Sequence, residues 1–182
     1  HLSQDEALIE AFNSGEDLHD TVARRVFNVS EVTPDMRRQI KAMSYGLAYG
    51  LSPYGLAAQL DISTEDARIM MDDYFRRFGG IRNYLAQVVD VARGKLYTET
   101  MYGRRRKLPD LASENRQRRE IAERMALNAP IQGSAADIVK IAMLKVDTAL
   151  RESHFQSRLL LQVHDELVLE VAAGEREAVT DL

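Results

Sequence analysis

The sequence predicts an α+β fold that is predominantly helical and that contains an antiparallel β-hairpin. Apolar residues recur at helical spacing through most of the first 151 residues. The pattern then changes to two β-type runs joined by His164-Asp165-Glu166, which together predict a hairpin at about 158–171. A helical part is therefore expected to meet a part made of long helices and a hairpin, with the boundary near residue 115.

Local start and stop signals divide the helical part into separate elements. Thr33-Pro34 and Ser52-Pro53 each place an N-cap residue before a proline at the first helical position. Ser3-x-x-Glu6 has the form of a capping box, and Pro130 predicts a break between two helices. Helices are expected at about 4–14, 18–27, 34–49, 53–60, 63–78, 81–93, 114–127 and 131–151, with a short strand at 96–102 and a further helix from residue 175.

Composition limits the classes of function. The 182 residues include no cysteine, so a disulfide framework, a thiol nucleophile and a cysteine-bound zinc site are excluded. The longest uncharged run, 42–60, is interrupted by glycine and proline, so no membrane-spanning helix is predicted. The chain begins without Met and stops inside a helical pattern, so we expect it to be an excised piece of a longer protein.

Charge is unevenly distributed along the chain. The formal net charge is −4 overall, but it is −6 for residues 1–36, +6 for residues 37–107 and −4 for residues 108–182. A basic middle segment is typical of a surface that binds a polyanion. On composition alone, an unevenly charged solvated face is the simpler alternative.

The predicted helix at 34–49 carries two separate stripes of side chains. At roughly 100° per residue, one stripe is apolar and forms the expected core face, namely Met36, Ile40, Met43 and Leu47. The other stripe consists of residues four apart, namely Arg37, Lys41, Tyr45 and Tyr49. Cations bind phosphate oxygens and tyrosine rings pack on bases or sugars, so this stripe has the chemical order of a nucleoside triphosphate. An amphipathic helix with exposed tyrosines at a domain contact is the alternative.

The predicted hairpin has an acidic tip. In isolation, Asp165 is either an ordinary turn former or a carboxylate for a divalent metal. A two-metal phosphoryl-transfer site needs carboxylates that bridge two ions about 4 Å apart. The tip therefore supplies part of such a site, and a second carboxylate from elsewhere is required.

Three motifs resemble those of family A DNA polymerases. The nucleotide-binding fingers helix of that family is matched by Arg37-x-x-x-Lys41-x-x-x-Tyr45-Gly46-x-x-Tyr49-Gly50, and its palm metal-binding motif by Gln162-Val163-His164-Asp165-Glu166. Between them, the helix pair that contacts the duplex minor groove is matched by Arg124-x-x-x-Asn128-Ala129-Pro130-x-Gln132-Gly133. The resemblance covers essentially the whole chain. It implies a fingers subdomain at 1–115 and part of a palm at 116–182.

The resemblance implies a role for each of these residues. Arg37 and Lys41 would hold the triphosphate, Lys41 would also be a catalytic proton donor to the leaving pyrophosphate, and Tyr45 would pack against the incoming sugar and base. Asp165 and Glu166 would be catalytic ligands of Mg²⁺ in a two-metal site whose other Asp lies outside this chain. Contacts with template or duplex DNA would come from Tyr49, Tyr54, Arg124, Asn128, Gln132 and His164.

The implied activity is DNA-directed DNA polymerisation, in which dNMP is added to a primer 3′ end in replication or repair. The implied partners are primer-template DNA, dNTPs and the remainder of the polymerase, in the bacterial cytoplasm at the nucleoid. Because the motif with the other metal-binding Asp is absent, we expect the chain alone to be inactive. The alternative is a non-catalytic nucleotide- or DNA-binding module of the same family. Many family members have Phe at the position of Tyr45, and Tyr there goes with weak discrimination against dideoxynucleotides.

Overall fold

Eight α-helices and two antiparallel hairpins make up the chain, and the computed structural model describes residues 1–182. The elements follow one another as α1 (Glu6–Asn13), α2 (Leu18–Phe27), α3 (Pro34–Ala48), α4 (Pro53–Leu60), α5 (Thr64–Arg77), α6 (Gly79–Lys95), β1 (Tyr97–Glu99), β2 (Arg105–Lys107), a 3₁₀ helix (Pro109–Ala112), α7 (Arg116–Glu152), β3 (Arg158–Val163), β4 (Glu166–Glu170) and α8 (Arg176–Thr180). The predicted α+β class with a predominance of helix is confirmed.

Two compact units can be distinguished, residues 1–131 and residues 132–182. Helix α7 begins in the first unit and ends in the second. The division into fingers at 1–115 and palm at 116–182 is a functional one, and it stays a prediction. No helix combines the length and the apolar character that crossing a membrane requires.

The core of the first unit is built around α3. Ile40 and Met43 on α3 are fully buried, together with Leu56 on α4 and Phe78 after α5. Burial of one such side chain contributes about 1.5–3 kcal/mol. A smaller cluster joins α6, the 3₁₀ helix and α7, and it consists of Ala92, Leu108, Leu111, Ala122 and Ala126. The apolar stripe of α3 is therefore its core face, as the sequence predicted.

Three helix starts agree with their local signals. Thr33, Ser52 and Ser63 are the N-caps of α3, α4 and α5. Each hydroxyl accepts a hydrogen bond from a backbone N–H of the first turn, at 3.0 to 3.2 Å. Such bonds satisfy N–H groups that have no partner inside the helix.

The predicted capping box at Ser3 is wrong, because α1 begins at Glu6 with Asp5 as its N-cap. One carboxylate oxygen of Asp5 accepts a hydrogen bond from the Leu8 N–H at 3.1 Å. The other accepts one from the Gly80 N–H at 2.9 Å, in the first turn of α6. Residue 78, which precedes α6, provides no side-chain cap of its own. Asp5 therefore caps two helices, which a single hydroxyl at residue 3 would not do.

The predicted break at Pro130 is also wrong, because α7 runs through it from Arg116 to Glu152. Proline has no backbone N–H, so the helix loses one hydrogen bond there at a cost of about 3 kcal/mol. Pro130 is itself buried, and so are Ala122 and Ala126 before it and Ser134 after it. Packing on both sides of the proline outweighs the local signal.

In the first hairpin, the second strand consists of three consecutive basic residues, Arg105–Lys107. Tyr97–Glu99 pairs with Arg105–Lys107 in antiparallel register, so the predicted strand at 96–102 is present but shorter. The Arg105 Nε lies 2.6 Å from Glu99 Oε1, and its guanidinium carbon lies 4.8 Å from the centre of the Tyr97 ring.

The second hairpin is fastened at its base by Glu175. Pairing extends from Arg158 opposite Glu170 to Val163 opposite Glu166, with a bulge between 159 and 161. The Glu175 carboxylate accepts hydrogen bonds from the Ser157 N–H at 2.9 Å and from the Ser157 hydroxyl at 2.6 Å. The bond from that hydroxyl is the main cause that lowers the pKa of Glu175 below its ordinary value.

Candidate functional site

The second stripe of α3 faces away from the core. Tyr45 is 58% exposed and Tyr49 is 49% exposed, whereas Ile40, Met43 and Leu47 of the apolar stripe are buried. An open groove of about 540 Å³ lies beside the stripe. It is lined by Arg38, Lys41, Ala42, Tyr45, Gly46, Tyr49, Leu51 and Gln59. A volume of this size falls within the range of small-molecule sites.

Two glycines shape the end of α3. The Leu51 N–H donates to the Gly46 carbonyl at 2.8 Å, and a Cβ at residue 46 would lie 2.5 Å from Leu51 Cδ2. Gly50 has φ of +70°, and a Cβ there would lie 3.1 Å from Leu127 Cδ1 and 3.2 Å from Arg124 Cγ. The end of α3 therefore lies directly against α7. Arg124 on α7 lies next to residue 50, which follows Tyr49 in the chain.

Arg37 is held by two carboxylates at the start of α2. Its Nη2 donates to Asp17 Oδ2 at 2.7 Å, and its Nε lies 3.1 Å from Asp20 Oδ1. The second contact is an ion pair without hydrogen-bond geometry, since no donor is aligned with Asp20 Oδ1. The Asp17 hydrogen bond raises the pKa of Arg37, and the same bond is the main cause that lowers the pKa of Asp17.

His19 belongs to the same set of residues, although the sequence pattern did not indicate it. Its ring centre lies 5.8 Å from that of Tyr45, with the planes inclined by 56°. Burial lowers the pKa of His19, and the charges of Lys41 and Arg37 lower it further against the opposing charges of Asp17 and Asp20. The imidazole is therefore neutral near pH 7. Only the contact between α2 and α3 shows this placement, and no spacing in the sequence signals it.

The residues expected to contact DNA fall into both units. Arg124 and Asn128 lie one turn apart on α7 in the first unit. Tyr54, in the first turn of α4, is 75% exposed. Gln132 and His164 belong to the second unit. Of these residues, Arg124 lies at the end of α3. Gln132 and His164 lie in a different compact unit from the groove on α3.

His164 and Asp165 form the two-residue turn between β3 and β4. His164 has φ of +53°, and its carbonyl accepts a hydrogen bond from the Gln162 Nε2 at 2.7 Å. Asp165, Glu166 and His164 are all exposed. The local backbone therefore presents two consecutive carboxylates at the tip of a paired hairpin.

The donor set at this tip fits part of a magnesium site. Mg²⁺ prefers oxygen ligands and is usually bound by one or two carboxylates together with substrate phosphates and water. Asp165 and Glu166 provide the carboxylates. No group of three or more His, Asp or Glu side chains in the 182 residues is placed to hold a metal ion.

A second cavity, of about 390 Å³, lies along α6 and β1. Lys95 and Glu99 are the only charged residues of its lining. One cation and one anion do not form a polyanion site, so the groove on α3 is the better candidate for a phosphorylated ligand.

Comparison with known proteins gives a consistent result. The family model described as DNA polymerase family A matches residues 1–182. The chain is 64% identical over 181 residues to DNA polymerase I of Mycobacterium leprae, and 66% identical over 184 residues to that of Mycobacterium tuberculosis. These alignments cover 98% and 100% of the chain, but 20% of each relative. The chain therefore spans about a fifth of the length of these relatives.

A solved structure shares the fold. It is described as the POL domain of Pol1 from M. smegmatis in complex with DNA primer-template and dNTP. Its TM-score with this chain is 0.94 at 63% sequence identity, and the match covers 100% of this chain and 32% of that one.

Proposed function

Because the chain belongs to DNA polymerase family A, we propose that it forms the nucleotide-binding fingers and part of the palm of a DNA-directed DNA polymerase. The complete enzyme adds dNMP to a primer 3′ end in replication or repair. The observation that carries this proposal is the stripe of two cations and two tyrosines along α3, of which Lys41, Tyr45 and Tyr49 line a groove of about 540 Å³. The lengths of the relatives support a larger parent. The remainder would provide the thumb and the rest of the palm.

The α3 residues bind the incoming nucleotide. Arg37 and Lys41 take the phosphates, because both cations donate charge-assisted hydrogen bonds to phosphate oxygens. Lys41 also donates a proton to the leaving pyrophosphate. Tyr45 packs against the sugar and base, and neutral His19 supports the Tyr45 ring from α2.

The hairpin residues Asp165 and Glu166 would hold Mg²⁺, together with a carboxylate from outside these 182 residues. When bound, the metal supplies stabilisation of the charge on the transferring phosphate and activation of the attacking oxygen. The hydrogen bond from the Gln162 side chain to the His164 carbonyl ties β3 to the turn that carries Asp165.

The remaining site residues contact DNA. Arg124 binds backbone phosphate, and Tyr49 stacks near the templating base with Tyr54 close to it. Asn128, Gln132 and His164 contact minor-groove acceptors, which are nearly the same for every correct base pair. Such contacts suit an enzyme that is independent of sequence but detects mispairs. An enzyme with this substrate acts at the bacterial nucleoid.

A non-catalytic nucleotide- or DNA-binding module is the second candidate. It is favoured by the absence of a complete metal-ligand group within the 182 residues. For the same reason we expect the 182-residue polypeptide alone to give no primer extension. Measurable extension by this polypeptide would contradict the expectation.

The metal-binding role is tested by Asp165→Asn in the full-length polymerase. Primer extension should be abolished, while the Kd for primer-template DNA changes by less than about twofold. Asp181→Asn, near the end of the chain, is the matched control and should leave both unchanged. A large loss of DNA affinity in the Asp165 variant would indicate a structural role instead.

The triphosphate-binding role is tested by Lys41→Ala. Loss of a charge-assisted hydrogen bond should raise the Kd for dNTP at least about tenfold, with little change in the Kd for DNA. Lys95→Ala removes a lysine outside the groove and serves as the control. Equal losses of dNTP and DNA affinity would count against the assignment.

A further inference from the structure

We propose that Asp17 and Asp20 compete with the phosphates of the nucleotide for Arg37, and so set the affinity of the site for triphosphates. This inference rests on the proposed function of α3. It concerns two carboxylates at the start of α2, outside the stripe of cations and tyrosines.

The geometry shows that Arg37 already has anionic partners. Asp17 Oδ2 accepts a 2.7 Å hydrogen bond from Nη2, and Asp20 Oδ1 lies 3.1 Å from Nε. Asp17 is held in place because it also accepts hydrogen bonds from the N–H groups of His19 and Asp20, at 2.9 and 3.1 Å. The Arg37 side chain is still 36% exposed, so a ligand can reach it.

The charges give these contacts a consequence for binding. With His19 neutral, the cations on this part of the stripe are Arg37 and Lys41, and the two carboxylates offset their charge. A phosphate that reaches Arg37 must displace or approach two fixed negative charges. Coulomb repulsion grows with the charge of the ligand, so it opposes a triphosphate more than a monophosphate.

A purely structural interpretation predicts something different. If the ion pairs only join α2 to α3, their loss would affect stability slightly, because exposed ion pairs contribute little to folding. It would not produce a gain in affinity that depends on the number of phosphates. The dependence on ligand charge therefore separates the two interpretations.

The experiment measures Kd values for dTTP, dTDP and dTMP by calorimetry, with the full-length polymerase in EDTA. Asp20→Asn keeps the size of the side chain and removes its charge, and it should tighten dTTP about fivefold, as expected for one partly screened charge. The gain should be smaller for dTDP and smallest for dTMP. Asp73→Asn is the matched control, since Asp73 on α5 pairs with exposed Arg76 at 2.7 Å and neither residue lines the groove, and it should change none of the three.

Two further variants secure the interpretation. The gain from Asp20→Asn should largely disappear in an Arg37→Ala background, because the competition acts through Arg37. Asp17→Asn should show the same order of gains, which keeps the test decisive if one variant folds poorly. Unchanged or weaker dTTP binding in both Asp variants, or equal gains for all three nucleotides, would overturn the inference. If Lys41→Ala still weakens dTTP binding, the proposed function stands, whereas no loss there would remove both.

Discussion

Asp5 joins the starts of two helices, so its removal should loosen both of them. The residue is 5% exposed, and its two oxygens accept hydrogen bonds from Leu8 in α1 and from Gly80 in α6. Asp5→Ala removes both acceptors at once. We therefore expect an effect at a site 75 residues away in the sequence, as well as at the local helix start.

The size of the effect follows from the two hydrogen bonds. Loss of the α1 N-cap costs about 1 kcal/mol. The Gly80 N–H, left without a partner in a partly buried place, costs about 1–3 kcal/mol more. The total of about 2–4 kcal/mol corresponds to roughly 30- to 700-fold faster exchange of amides that open through these helix starts. Asp5→Asn keeps one carbonyl oxygen and should lose about half of that free energy.

Hydrogen–deuterium exchange of the full-length polymerase measures this effect locally. Peptides that cover α1 and the first turns of α6 should both exchange faster in Asp5→Ala. Ser63→Ala removes a single exposed N-cap and should affect only α5, by about 1 kcal/mol. Gly80→Ala perturbs the same contact from the side of α6, since its Cβ would lie 2.9 Å from Asp5.

If α6 keeps its protection while α1 alone loosens, the coupling between the two helix starts is refuted. Asp5 would then be an ordinary local cap, and its contact with Gly80 would have no energetic weight. The same conclusion would follow if Asp5→Ala and Ser63→Ala gave effects of equal size and equal range.

Three other changes test separate parts of the chain. Gly50→Ala should destabilise the end of α3 by roughly 1–2 kcal/mol in thermal unfolding, because φ of +70° strains an L residue and its Cβ would meet Leu127 at 3.1 Å. Glu175→Gln should speed amide exchange in β3 and β4 at neutral pH but not in acid. Its bond with Ser157 lowers its pKa, so the stabilisation is present above the unfolded-state pKa and is lost as the pH falls through the folded-state pKa. Tyr45→Phe should increase rejection of dideoxynucleotides, measured as the ratio of kcat/KM for dNTP to that for ddNTP, because it removes the only hydroxyl on that ring.

Each of these predictions has a clear contrary result. An alanine at residue 50 with unchanged stability would show that α3 and α7 can separate without cost. A Glu175→Gln effect that persists in acid would mean that the charge of the carboxylate is irrelevant to the hairpin. An unchanged ratio of selectivities in Tyr45→Phe would contradict the placement of that ring beside the sugar.

The helix starts that could be predicted are those that depend on a few adjacent residues. Thr33-Pro34 and Ser52-Pro53 specify their helices because cap and proline act within one turn. Asp5 was missed because half of its function lies at Gly80, in a segment that no local pattern connects to it. Pro130 was misjudged for a similar reason, since the burial on both sides of it is a property of the tertiary structure.

The candidate site shows the same limit. The stripe from Arg37 to Tyr49 could be predicted from a spacing of four residues, because its members lie along α3 and at its C-cap. Asp17, His19 and Asp20 could not, since they reach that stripe only through the packing of α2 on α3. These carboxylates contribute to the acidic net charge of residues 1–36, but a net charge does not indicate which carboxylates face a cation.

The two glycines at the end of α3 also define how this surface can be engineered. Libraries that aim at altered nucleotide acceptance can vary residues 45 and 49, since both side chains are about half exposed or more. Residues 46 and 50 should be held constant, because any side chain there would collide with Leu51 or press on α7. If the whole segment were randomised, most variants would therefore carry a side chain at residue 46 or 50 that displaces α3. Their substrate preference could then not be compared with that of the parent.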